Sequence, residues 1–296
     1  QRDLGRGGGA CAPGHGVLMA TPFYKIRRRV LHACVLTGAY VFLLGPILFV
    51  AMASFDYGQR AYVVFPPEQF SLDAYRNIPE RYFDALWVSC RLAAVTAIGA
   101  CLIGIPAALG VVRCNLPGKS WLLAVFRAPL QIPGVVSGVA FLQAYYVVGS
   151  LTGWHFIGSF TGMTLAHIFA ATPYVVGTLV AVLQRFDVNL EEAALTLGAS
   201  RWATFTQVTL PILKPGLFAG ALYAFMISFC EVPISVFLTG PSYMTFPVEI
   251  FNSMQFDFEP TILAVSTLVT VLSLAAVMIV QSVVGLGVFV RTGGAD

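Results

Sequence analysis

An all-α polytopic membrane protein with six transmembrane helices is the fold class this sequence predicts, and three observations predict it. Of 296 residues, 57% are hydrophobic and only 10% are charged, with mean hydropathy +0.80; soluble domains carry about 25% charged residues. The apolar residues gather in runs long enough to cross a bilayer, which takes about 20 predominantly apolar residues. The basic residues gather at one side of those runs. Together these exclude a soluble cytosolic enzyme, a disordered or collagenous chain and a coiled coil.

The first predicted span is Val30–Ser54, with His32 as its one ionisable group apart from Cys34 and Tyr40. The second is Leu92–Val112, led in by Leu86–Arg91. From Ala128 to Gln184 there is no Asp, Glu, Lys or Arg, a stretch too long for one helix. It divides at Ser150–Ser159, where Gly, Ser and Thr surround Trp154 and His155, giving a third span over 128–149 and a fourth over 160–184. Gly216–Thr239 is the fifth, carrying Glu231, and Thr261–Val290 is the sixth. Pro46, Pro106, Pro133, Pro173 and Pro233 predict a break in each of the first five.

Lys and Arg accumulate on the cytoplasmic side of membrane proteins. Most of the 17 basic residues fall on one side: Arg2, Arg6, Lys25 and Arg27–Arg29 before span one, Arg113, Lys119 and Arg127 after span two, Arg185, Arg201 and Lys214 after span four, and Arg291 after span six. This predicts that both termini are cytoplasmic. Residues 1–29 form the N-terminal segment, 30–290 the transmembrane domain with a coupling loop over 186–215, and 291–296 a tail. The run after Arg29 is too long for the apolar region of a signal peptide. Residues 1–18 are Gly-rich, and Met19 reads as a natural start, so 1–18 are expected to be disordered or an extension. The six cysteines show no ligand spacing, which argues against a disulfide framework and a zinc site.

The loop over 186–215 is long for a chain with otherwise short connections on that side. Asn189 can cap a helix with Glu192 in the capping-box position, and Glu191 and Glu192 suit the positive end of its dipole. The helix should stop at Gly198, which tolerates a left-handed backbone, and Ser200 can cap a second helix through about Thr209. Pro211 and Pro215 then interrupt the pattern before span five. Leu190, Ala193, Ala194 and Leu197 form one apolar stripe at helical spacing, and Trp202, Phe205 and Val208 another.

Glu192-Ala193-Ala194, three residues, Gly198-Ala199, five residues, Phe205, two residues, Val208, one residue and Leu210-Pro211 resemble the EAA loop of binding-protein-dependent ABC importer permeases. The resemblance extends over about residues 20–290. It implies the type I ABC importer permease fold, like that of the methionine permease, and a coupling helix that docks in a cleft on a separate ATPase subunit. The ATPase-coupling surface it implies is Glu191, Glu192, Ala193, Ala194, Leu197, Gly198, Ala199, Ser200, Arg201 and Phe205. It also implies a second permease as a heterodimer partner, two ATPase subunits, an extracytoplasmic substrate-binding protein, and the inner membrane as the location. No cofactor is expected on this chain, because ATP and Mg²⁺ belong to the ATPase. Gly118-Lys119-Ser120 is not a phosphate-binding loop, since Arg113 stands where the leading Gly would be needed; Lys119 reads as an inside-positive anchor.

The candidate translocation-path residues are Glu231, its neighbour Cys230, Gln143 in span three and His167 in span four. Intramembrane charge usually faces a cavity or a partner, so Glu231 reads either as lining a route for a cationic group or as a structural hydrogen-bonding acid. Gln143 and His167 read first as satisfied interhelical bonds. Phe65–Leu72 with Tyr75, Thr239-Gly240-Pro241 and Phe246–Phe251 resemble the spermidine/putrescine-type subfamily, as does Ser228–Glu231, although Asp usually stands at the position of Cys230. That resemblance implies import of a small amine-bearing solute, polyamine-like or 2-aminoethylphosphonate-like. The alternatives are an ion-coupled secondary transporter or a membrane enzyme. The first calls for paired repeats and charged relays, the second for a cluster of reactive groups at one depth, and the sequence displays neither.

Overall fold

The computed structural model describes residues 22–56, 70–114, 117–256, 259 and 261–292. Helices dominate these residues, and extended pairing among them is limited to an isolated bridge between Asp56 and Phe70. The expectations for residues 1–18 and for Phe65–Gln69 lie outside the described residues.

The long helices are α1 (Pro22–Ala53), α3 (Glu80–Arg113), α5 (Gly134–Thr152), α6 (Phe160–Leu183), α9 (Leu210–Phe229) and α12 (Thr261–Thr292). Short elements connect them: α2 (Asp73–Arg76), α4 (Lys119–Arg127), a 3₁₀ turn (Ala128–Leu130), α7 (Asn189–Thr196), α8 (Arg201–Thr204), a π-helical segment (Phe205–Thr209), α10 (Pro233–Leu238) and α11 (Phe246–Phe256). Among the described residues five helical stretches are long and apolar enough to cross a membrane, and α12 adds a helix that is apolar over Thr261–Ala276.

Two expectations for the spans change. The helix that carries span two begins at Glu80, ahead of Leu92 and of its lead-in Leu86–Arg91. At about 1.5 Å per residue α3 is about 50 Å long, well beyond an apolar core of about 30 Å, so its polar first turns extend past any lipid-facing section and leave no hydropathy signal. The prolines do not break every span: α1, α3 and α6 run through Pro46, Pro106 and Pro173. Packed helices and local hydroxyls can satisfy the backbone that a proline frees. Pro133 and Pro233 do mark helix starts. Span five is broken where Pro233 predicts, with α9 ending at Phe229 and α10 beginning at Pro233.

The core is the packing of α3, α6 and α9, built on small residues that let backbones approach. A Cβ at Gly104 would fall 2.6 Å from Val175 Cγ1, and one at Gly220 would fall 2.6 Å from Thr178 Oγ1 and 3.1 Å from Val175 Cα. Ala100, Ala108, Ala171, Leu179, Leu213 and Ala224 fill the same cluster. At the Glu80 end of α3, Arg81 pairs with Glu249 of α11 at 3.2 Å and with Glu259 at 2.8 Å, and Tyr82 donates to Ser253. α1 packs chiefly against α12 and exposes apolar side chains such as Phe42.

Candidate functional site: the coupling loop and the broken fifth span

The candidate coupling loop folds as one short helix, α7, joined by a sharp bend to a second helix that continues into α9. Asp187 Oδ1 accepts from Asn189 N at 3.0 Å, so the capping side chain stands two residues before the expected Asn189. This is the local turn that Asp makes with the backbone two residues on. α7 ends on Gly198 at φ +88°, with Gly198 N bonded to Leu195 O and Ala199 N to Ala194 O. That pair of bonds is the Schellman stop, which a left-handed glycine completes without a side-chain clash. Ser200 Oγ then accepts from Ala203 N at 3.2 Å and starts α8. α8, the π segment and α9 run on as one 29-residue helix from Arg201 to Phe229, so Pro211 and Pro215 do not interrupt it. Pro211 sits in the first turn of α9 and Pro215 inside it.

The faces of this unit divide sharply. Leu197 is 89% exposed and Trp202 is 73% exposed, and Leu190, Glu192, Ala193, Ser200 and Arg201 are exposed as well. Ala194, Ala199 and Phe205 are half-buried, and Phe205 lies 5.8 Å from the Trp202 ring. Glu191 turns inward. Its carboxylate takes a 2.9 Å ion pair from Arg113 at the end of α3 and accepts from the Thr209 hydroxyl. The Arg113 guanidinium also lies 4.7 Å from the ring of Phe186. Sequence reasoning does not link Arg113, Thr209 and Phe186 to this site, because no local pattern connects positions as far as 78 residues apart.

The second feature is the interruption of span five at Cys230-Glu231-Val232. Glu231 Oε1 accepts from Ile234 N at 3.0 Å and thereby caps α10, while Ser235 Oγ donates to Glu231 O at 2.8 Å. Cys230 and Glu231 line a cavity of about 240 Å³ with Pro129, Tyr174 and Ile227. Gly134 of α5 permits this approach, since a Cβ there would fall 2.9 Å from Pro233 and 3.5 Å from Glu231 Oε1. His167 is fully buried and bridges the break: Nδ1 lies 2.9 Å from Ser228 Oγ and Nε2 3.0 Å from Ser235 Oγ. The structure thus brings Cys230 and Glu231 to one cavity. Neither His167, which is buried, nor Gln143, which is exposed on α5, lines that cavity. Among the described residues no group of His, Cys, Asp and Glu could hold a metal ion.

Residues 14–289 match the family described as binding-protein-dependent transport system inner membrane component. The chain belongs to this family. It is 30% identical over 233 residues to the putrescine transport system permease protein PotI of Escherichia coli K12, a match that covers 78% of this chain and 82% of that protein. It is 29% identical over 255 residues to the spermidine/putrescine transport system permease protein PotC of the same strain, covering 86% of this chain and 93% of that one. Among solved structures, a bacterial ABC transporter involved in import of the acidic polysaccharide alginate superposes with TM-score 0.71 over 88% of this chain and 97% of its own, at 14% identity. The protein is therefore a non-catalytic permease of an ABC importer with the importer-permease fold, and it works with an ATPase and a binding protein.

Proposed function

We propose that this permease carries an amine-bearing solute inward as half of a path formed with a second, non-identical permease. Two ATPase subunits engage the loop over 186–215, which faces the cytoplasm together with both termini. The bias of Lys and Arg to the coupling-loop side supports that orientation.

The observation that carries the solute reading is the carboxylate of Glu231, which lines a cavity at a break in an apolar span. A break exposes backbone polar groups that are tolerated only where they line a cavity or meet protein. The carboxylate adds one negative charge there, which favours an ammonium over an anion. The names of the polyamine permeases to which this chain is similar support the same reading. His167 enters by holding the broken span in register, and Gln143, exposed on α5, completes the path against the second permease.

On the coupling side, exposed Leu190 and Leu197, seven residues apart, offer apolar anchors at helical spacing, which suits a short helix seated in a groove, and exposed Trp202 adds another from α8 beyond the bend. Glu192, exposed beside them, offers a charge to a basic partner. ATP drives transport by binding more tightly to one arrangement of the assembly than to the other.

The test is uptake by the full complex in proteoliposomes with its binding protein, ATP inside or outside as orientation demands, and labelled putrescine. ATP-dependent accumulation that excess 2-aminoethylphosphonate does not suppress supports the polyamine reading. Accumulation of labelled 2-aminoethylphosphonate instead selects the other amine class, and transport of neither overturns the solute assignment.

A further inference from the structure

One carboxylate oxygen joins three elements of this chain. Glu191 Oε1, in the first turn of α7, accepts from Arg113 Nη2 at the end of α3 and from the hydroxyl of Thr209, where the π segment meets α9. Phe186, buried just before α7, lies under the same guanidinium. Thr209 is buried, and the Arg113 and Glu191 side chains are each about four-fifths covered, 21% and 22% exposed. The pair is therefore shielded far more than an ordinary surface ion pair, and removing one partner would strand the other in a poorly solvated place.

The remainder of α7 is loosely held. None of its residues is fully buried, and it is only eight residues long. A force applied to its exposed apolar face would tilt it about the Asp187 and Gly198 turns unless something stiff tied it to the spans. The Glu191 carboxylate is that tie. It reaches α3 and, through Thr209, the turn that leads directly into α9, and both helices belong to the core. The junction at Phe205–Thr209 is also a π turn, a wider winding that is found mostly at functional positions in helices. Among the described residues, Arg113 Nε and Nη1 are buried without an acceptor, so the guanidinium makes its one side-chain hydrogen bond there to Glu191.

We propose that Arg113 and Glu191 form an internal strut that passes displacement of the coupling helix to spans two and five, as positioning residues rather than ATPase contacts. This rests on the reading of 186–215 as the coupling loop. Two adjacent carboxylates then divide the labour, with Glu192 facing outward to the motor and Glu191 facing inward to the permease itself.

The experiment uses the whole complex, reconstituted with its ATPase, second permease and binding protein. Arg113→Gln and Glu191→Gln are compared with the reversed pair, Arg113→Glu with Glu191→Arg, and with Leu197→Asp. Two quantities are read: ATPase subunits recovered with the tagged permease, and solute imported per ATP hydrolysed. Each single variant should retain wild-type ATPase recovery and lower solute per ATP by about tenfold, within the range usual for energetic coupling between sites. The reversed pair should recover most of that loss. Normal solute per ATP in the single variants overturns the strut, as does loss of ATPase recovery in them, or a reversed pair no better than the singles. Failure of the coupling-loop reading shows separately, as full ATPase recovery with Leu197→Asp.

Discussion

His167 and Ser235 sit 3.0 Å apart across a gap in the fifth span, and the other nitrogen of the same ring meets Ser228 at 2.9 Å on the near side of that gap. A helix that loses its backbone ladder between Phe229 and Pro233 is held in line by one imidazole from a neighbouring helix. Both serines are buried, so neither can turn to water if the ring is removed. His167→Ala should therefore destabilise the assembled permease by about 3 kcal/mol, the sum expected for a lost buried bond and the space left behind. Thermal unfolding of the purified complex measures this, and His167→Gln, which keeps one polar reach, should lose less.

The two readings of Glu231 separate by a single substitution. Gln can still accept from Ile234 N, as Glu231 Oε1 does at 3.0 Å, but it lacks the charge. Glu231→Gln should leave assembly and thermal stability unchanged and raise the KM for an amine solute by about tenfold, the effect of about 1.4 kcal/mol. Unaltered transport kinetics would make the carboxylate a helix cap only. Glu231→Ala should add a stability loss of about 1 kcal/mol, as for other lost caps.

The close approach at the core is testable with one methyl group. At Gly220 a Cβ would lie 3.1 Å from the Val175 backbone, a neighbour that cannot rotate away. Gly220→Ala should cost about 1–3 kcal/mol through overpacking. Gly177, on α6 with open space around it, is the control, and Gly177→Ala should be neutral or stabilising by a few tenths of a kcal/mol. Equal effects at the two positions would contradict the packing described for α3, α6 and α9.

Much of this is legible in the residues alone. Span four matches to within a residue, because Ser159 and Gln184 bound a uniformly apolar run. Gly198 ends α7 and Ser200 starts α8 as expected, since stop and cap signals are local chemistry. The first cap falls on Asp187 instead of Asn189, because either side chain can serve and spacing does not choose between them. The extension of α3 to Glu80 and the continuity of α8 into α9 are hidden for one physical reason. Hydropathy records where lipid contact begins and is blind to helix that continues outside it. The Arg113–Glu191 pair and the His167 bridge join residues far apart in sequence; no periodicity encodes them, and only the packed helices bring them together.

The proposed coupling surface offers the most direct trial of the whole account. Leu197 is 89% exposed and touches little of its own chain, so Leu197→Asp should shift stability of the isolated permease by no more than about 0.5 kcal/mol. The decisive measurement is photo-crosslinking from a reactive amino acid placed at position 197 in the intact complex. The account predicts a covalent product with the ATPase subunit that disappears when Trp202 is also replaced by Asp. A residue 197 that crosslinks only to lipid or solvent, in a complex that still imports solute, would contradict it.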